Sequence, residues 1–153
     1  MGYLDRNLMA GETVVFRTRI HWITLLPASL AAAVLLGGAI ALLFFPKARL
    51  ASPVCLLAAV AVLAGPLARY FSSEFAVTNK RVAIKVGFVR RRTLEMVLQK
   101  VESVAVEQGV LARMLGYGTL TVHGTGGTPE VFDLIRAPLE FRRHVDEQLA
   151  ARA

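Results

Sequence analysis

One cysteine in 153 residues, Cys55, excludes an intramolecular disulfide. The three histidines His21, His123 and His144 stand singly, with no HxxxH or CxxC spacing that would gather metal ligands. No lysine-serine ending follows the glycine-containing stretch from Gly124 to Gly127, which argues for a hairpin loop and against a phosphate cradle. Catalytic, cofactor and metal sites therefore have no candidates, and the expectation is a protein that is not an enzyme. Charge is also scarce, at 19% of residues against 55% hydrophobic ones, too apolar for an ordinary soluble domain of this length.

The apolar excess is concentrated. From Trp22 to Phe45 there are 24 residues without a charge, and from Leu50 to Ala68 there are 19 more. A hydrocarbon core of about 30 Å needs roughly 20 apolar residues as helix, so both runs are long enough to span it. Neither shows the polar face of a core helix in a small soluble protein. A cleaved signal peptide fits poorly, because the first run is too long and begins after 21 mixed residues. Pro27 and Pro53 fall where first-turn N–H groups lack helical partners anyway. The reading is a transmembrane hairpin over 22–71, with helices at about 22–45 and 50–71 and a turn at 46–49. Ala33, Gly37 and Ala41 on the first helix, and Ala61 with Gly65 or Ala64 with Ala68 on the second, recur every fourth residue. Such stripes let helices approach closely in lipid, and they also occur in any alanine-rich helix.

Two spans put both termini on one side of the bilayer. Arg6, Arg17, Arg19, Arg69, Lys80, Arg81 and Lys85 flank the spans on that side, against Lys47 and Arg49 in the turn. The positive-inside rule then places both termini in the cytoplasm, and the localisation expected is the inner (plasma) membrane.

Beyond the hairpin the texture changes. Glu74 to Thr78, Arg81 to Val86, Arg90 to Met96, Val101 to Glu107, Thr119 to His123 and Glu130 to Ile135 read as strands, with Asn79-Lys80 supplying the first turn. Gln108 to Gly116 suits a short helix. A closing helix at about 138–151 places Phe141, Val145 and Leu149 on one face. Antiparallel strands followed by an amphipathic helix predict an α+β domain over 72–153, a β-barrel or sandwich capped by that helix. Thr13 to Arg19 also reads as extended, so the segment 1–21 is expected to lend a strand to the same domain.

Several stretches together carry a family resemblance: Gly11-Glu12 and His21, then Phe75-x-Val77-Thr78-Asn79-x-Arg81 leading to Gly87, Lys100 to Val104, and Leu111 to Val122. In this order they resemble the bacterial PH-like domains of membrane-flanked proteins, the YdbS-like group, over nearly the whole chain. The resemblance implies a PH-like barrel with a C-terminal helix. It implies little about activity, because that group shares an architecture and no common catalytic motif.

Two groups of residues are candidates for contact. From Arg69 onward 13 Lys and Arg face 9 Asp and Glu, and Lys80, Arg81, Lys85, Arg90 and Arg92 concentrate the excess. Basic residues beside a cytoplasmic leaflet gain about 1 kcal/mol each from anionic lipid. Lys85 with Arg90-x-Arg92 resembles the inositol-phosphate pattern of some eukaryotic PH domains, although the two-residue turn leaves a headgroup little room. Nucleic acid fits poorly, since interleaved aromatics are missing. The second group is Leu111, Met114 and Leu115, whose short helix carries more apolar residues than one face can bury. They pack inside the barrel or touch the membrane or a partner. The reading with most support is a membrane-anchored scaffold that binds a protein partner or its own copies. Recognition of anionic lipid headgroups and an accessory place in a membrane enzyme or transporter complex are the alternatives.

Overall fold

A computed structural model describes residues 7–87 and 92–151. The chain divides into two compact units, one formed by 1–21 with 72–153 and the other by 22–71.

The second unit is the apolar hairpin. Its helices are α1 (Leu26–Leu43), preceded by a 3-10 turn at Trp22–Leu25, and α2 (Ser52–Ser72), preceded by one at Arg49–Ala51. With those turns they form segments of 22 and 24 residues, long and apolar enough to cross a membrane. Only 11% and 6% of their most apolar windows are buried, whereas a core helix would be mostly covered. Pro27 sits in the first turn of α1, and Pro66 lies inside α2. The small-residue stripes do not form the buried seam. Ala28, Ala32, Ala39 and Ala59 are the covered positions, while Ala33, Gly37, Ala41, Ala61 and Gly65 are exposed. A Cβ added at Gly37 or Gly65 would meet nothing within 4 Å.

The first unit is a two-sheet sandwich. β1 (Val14–Thr18), β2 (Glu74–Thr78), β3 (Arg81–Val86) and β4 (Arg92–Val97) form one antiparallel sheet in that order. β5 (Val101–Glu107), β6 (Tyr117–Gly124) and β7 (Glu130–Arg136) form the other. Between β5 and β6 lies α3 (Val110–Leu115), and α4 (Pro138–Ala150) closes the chain. β1 comes from before the hairpin and pairs with β2 after it, with Phe16 opposite Val77 and Thr18 opposite Phe75.

Alternation puts Phe75, Val77, Val82 and Ile84 on the inner face, where they meet Val104, Leu120, Val122, Phe132 and Ile135 of the facing sheet. Phe141 and Val145 of α4 complete this core, with Leu149 half-buried at its rim. α4 touches β1 and β2 of one sheet and β5 and β6 of the other, and so covers an end of the sandwich.

The expected barrel does not close. A 3-10 turn at Leu98–Lys100 carries the chain from β4 to β5 without pairing them, so among the described residues β4 bonds only to β3 and β5 only to β6. The opposite side is joined more closely. An isolated bridge pairs Ile20 with Ile135, His21 N–H donates to Leu134 O at 2.6 Å, and Arg136 N–H donates to Arg19 O at 3.0 Å. The chain is therefore held by both sheets immediately before Trp22.

Candidate functional site

The two-residue turn between β2 and β3 is the centre of a buried polar network. Arg81 lies on the outer face of β3 yet is buried, and its guanidinium is fully engaged. Nε donates to Glu12 Oε1 at 2.9 Å, Nη2 to Glu12 Oε2 at 3.2 Å and to Asn7 O at 2.5 Å, and Nη1 to Glu95 Oε2 at 2.5 Å. The Thr78 hydroxyl donates to Glu12 Oε1 at 2.8 Å and accepts the Lys80 and Arg81 N–H groups. The Asn79 side chain accepts Thr13 N–H and donates to Gly11 O, and Lys80 Nζ donates to Ala10 O at 2.6 Å. Every buried side-chain nitrogen and oxygen among the described residues has a partner. Burial alone would raise the Glu12 pKa. The Met9 N–H, the Arg81 guanidinium and the Thr78 hydroxyl outweigh it, and the carboxyl is held below its ordinary range.

This network changes the reading of the basic cluster. Arg81 is an internal counter-ion that ties the chain before β1 to the β2–β3 turn, and its guanidinium is committed to those partners. Lys80 serves the same tie. Lys85 is half-buried beside Glu74 in the strand register, and Arg92 pairs with Glu130 and lies 5.5 Å from the Phe132 ring centre. Arg90 and its neighbour Arg91 lie outside the described residues. Nothing in the sequence spacing marked Glu12 as the partner of Arg81, since 69 residues separate them.

The apolar candidates are placed differently. Packing of Leu111, Met114 and Leu115 inside a barrel is overturned: they are 69%, 79% and 46% exposed, and Val110 joins them at 80%. Only Ala112 of α3 turns inward. Gly116 ends this helix in the left-handed conformation that favours glycine, with φ 76°. Beneath α3 lies an open cleft of about 460 Å³, lined by Glu107, Tyr117, Gly118, Thr119 and Leu134 among others.

His21, one of the three histidines that stand singly in the sequence, is buried in the domain. Its ring lies 5.3 Å from that of Tyr117 and is hydrogen-bonded to the Leu115 backbone. Burial chiefly, and Arg136 beside it, lower its pKa, so the imidazole is neutral at pH 7. Leu134 and Ala137, at φ 58° and 49°, are non-glycine residues in the left-handed region on either side of the β7 end that receives this chain. No group of three His, Cys, Asp or Glu side chains is placed to hold a metal among the described residues.

The model of the Bacterial PH domain family matches residues 22–149. The chain belongs to that family. A solved relative in fold is a DUF1696 family protein with a pleckstrin-homology domain from Shewanella loihica PV-4, with a TM-score of 0.50 and 11% identity over 95% of this chain and 89% of that one. At that identity the likeness concerns the fold. No curated protein matches. Gly11-Glu12, which precede the matched span, and Thr78-Asn79-x-Arg81 within it converge on one structural lock. Gly118 is of the same kind: a Cβ there would come within 2.7 Å of Gln108 Cγ and 2.8 Å of Glu107 O.

Proposed function

We propose that this protein is a non-catalytic, membrane-anchored PH-like module that engages a protein partner at the cytoplasmic face. The observation that carries the proposal is the position of the hairpin inside the domain. Two helices with exposed apolar surfaces leave the sandwich after β1 and return to it at β2, its paired neighbour. In water those helices would present an aggregation-prone surface, whereas a bilayer covers it. The positive-inside count puts the sandwich on the cytoplasmic side.

The docking surface in this reading is the unclosed side of the sandwich, where, among the described residues, β4 and β5 each have one unpaired edge. Such an edge offers main-chain donors and acceptors to an added strand. Reading of anionic headgroups by the basic hairpin is less well supported, because Arg81 and Lys80 are committed within the domain.

The test is photo-crosslinking in cells with a light-activated residue at Thr93 on β4 or Ser103 on β5. Glu140, on the exposed side of α4, is the control. Discrete adducts at the two strand positions and none at the control are expected. An adduct at twice the chain mass of 16.6 kDa would identify a second copy as the partner. Equal background at all three positions would refute edge docking.

A further inference from the structure

We infer that α3 is an interfacial helix whose exposed apolar face, Val110, Leu111, Met114 and Leu115, lies in the headgroup region of the bilayer that holds the hairpin. The inference rests on the membrane-anchored reading above. Four of the six residues of α3 are large, apolar and exposed, and the only charge among the six is Arg113. A helix bathed in cytoplasm would carry polar residues on that face.

Its location supplies the occupant. The imidazole of His21 is hydrogen-bonded to the Leu115 backbone, and His21 directly precedes Trp22, where the first apolar segment begins. His21 is itself fixed by its N–H bond to Leu134 and by the Ile20–Ile135 bridge beside it. The C-terminal end of α3 is thus fastened to the last residue before the span. At about 1.5 Å of rise per residue, Val110 is only about 8 Å further along the helix axis. The headgroup zone on each side of a bilayer is roughly 6 Å deep, so α3 in this placement lies with its axis along the surface, since a helix standing upright would carry Val110 out of the zone. Charge agrees with this placement. Arg113 lies on α3, while Arg19 and Arg136 are joined by a backbone bond next to His21, a set suited to anionic phosphates. A short apolar helix lying in the interface would restrict tilting of the domain on its tether.

The full chain is tested in vesicles of mixed phosphatidylcholine and phosphatidylglycerol, in a Cys55→Ala background. A polarity-sensitive fluorophore is attached at Met114→Cys, at Leu36→Cys in the middle of α1, or at Thr125→Cys in the exposed β6–β7 loop. Quenching is compared between headgroup-linked nitroxide, deep acyl-chain nitroxide and aqueous iodide. The expected result is severalfold stronger quenching of position 114 by headgroup nitroxide than by iodide, deep-nitroxide quenching at 36, and iodide quenching at 125. Deep quenching at 36 with iodide quenching at 114 would overturn the inference and leave the anchor standing. Shielding of position 114 from both lipid and iodide would overturn it in favour of a protein partner or a second copy. Absence of lipid quenching at position 36 would overturn the anchor itself, and the inference with it.

Discussion

Replacing Arg81 by methionine removes the cation from the buried network while keeping much of its volume. Glu12 would then remain buried with only Met9 N–H and the Thr78 hydroxyl for partners. Breaking a buried ion pair by removing one member costs about 3–5 kcal/mol. An upper limit on the charge penalty comes from protonation. Holding a carboxyl of ordinary pKa about 4.3 neutral at pH 7 costs about 3.7 kcal/mol, at 1.36 kcal/mol per pH unit. A loss of about 3 kcal/mol is expected, a fall in Tm of roughly 12 °C for a unit of about 100 residues. The same arithmetic gives a charge penalty of only about 1 kcal/mol at pH 5, so the deficit should shrink there. Glu12→Gln combined with Arg81→Met should recover part of the loss at pH 7. Thermal unfolding of the full chain in mild detergent, at both pH values, measures all three effects. A deficit below about 1 kcal/mol at pH 7, unchanged at pH 5, would refute the lock. Weaker binding to anionic vesicles at unchanged stability would return Arg81 to the lipid-reading set.

Because the folded pKa of Glu12 is depressed, its contribution to stability is present above about pH 4.3 and is lost as pH falls through the folded value; Glu12→Gln should flatten that part of the acid-unfolding profile. His21 is also depressed, but as a base: the unfolded chain takes up its proton first, so stability should fall as pH drops below about 6.5, and His21→Gln should remove that step. Gly118→Ala forces a Cβ against Gln108, Glu107 O and Pro138, and should lower stability by about 1–3 kcal/mol in the same unfolding assay. Ala137→Gly relieves a left-handed backbone and should raise Tm by a few degrees, corresponding to about 0.5–1 kcal/mol.

The elements with a strong local pattern were legible in the sequence. Two uncharged runs became α1 and α2, and Phe141, Val145 and Leu149 turned inward on α4 as their spacing requires. Alternation likewise marked β3 and β5. What stayed hidden depends on which strand meets which. Local patterning carries no sign that the sheets stop short of closure at Leu98–Lys100. It also hides that Glu12 reaches Arg81, because an ion pair between residues 69 apart leaves no periodic trace. The burial of Arg81 was hidden for a related reason. A basic residue beside a turn looks solvated until the chain segment that covers it is in place. α3 erred in the opposite direction, since apolar residues near a domain core suggest burial, and only Ala112 of the helix goes in.

The central claim is that one PH-like unit is held on the cytoplasmic side by a hairpin that crosses the membrane, and cysteine accessibility in intact cells tests it most directly. In a Cys55→Ala background, Ala48→Cys in the turn should react with a membrane-impermeant maleimide from outside. Thr125→Cys in the β6–β7 loop should react only after permeabilisation, and alkaline carbonate should leave both proteins in the membrane pellet. Release of the chain by carbonate, or labelling of both positions from the same side, would contradict the account.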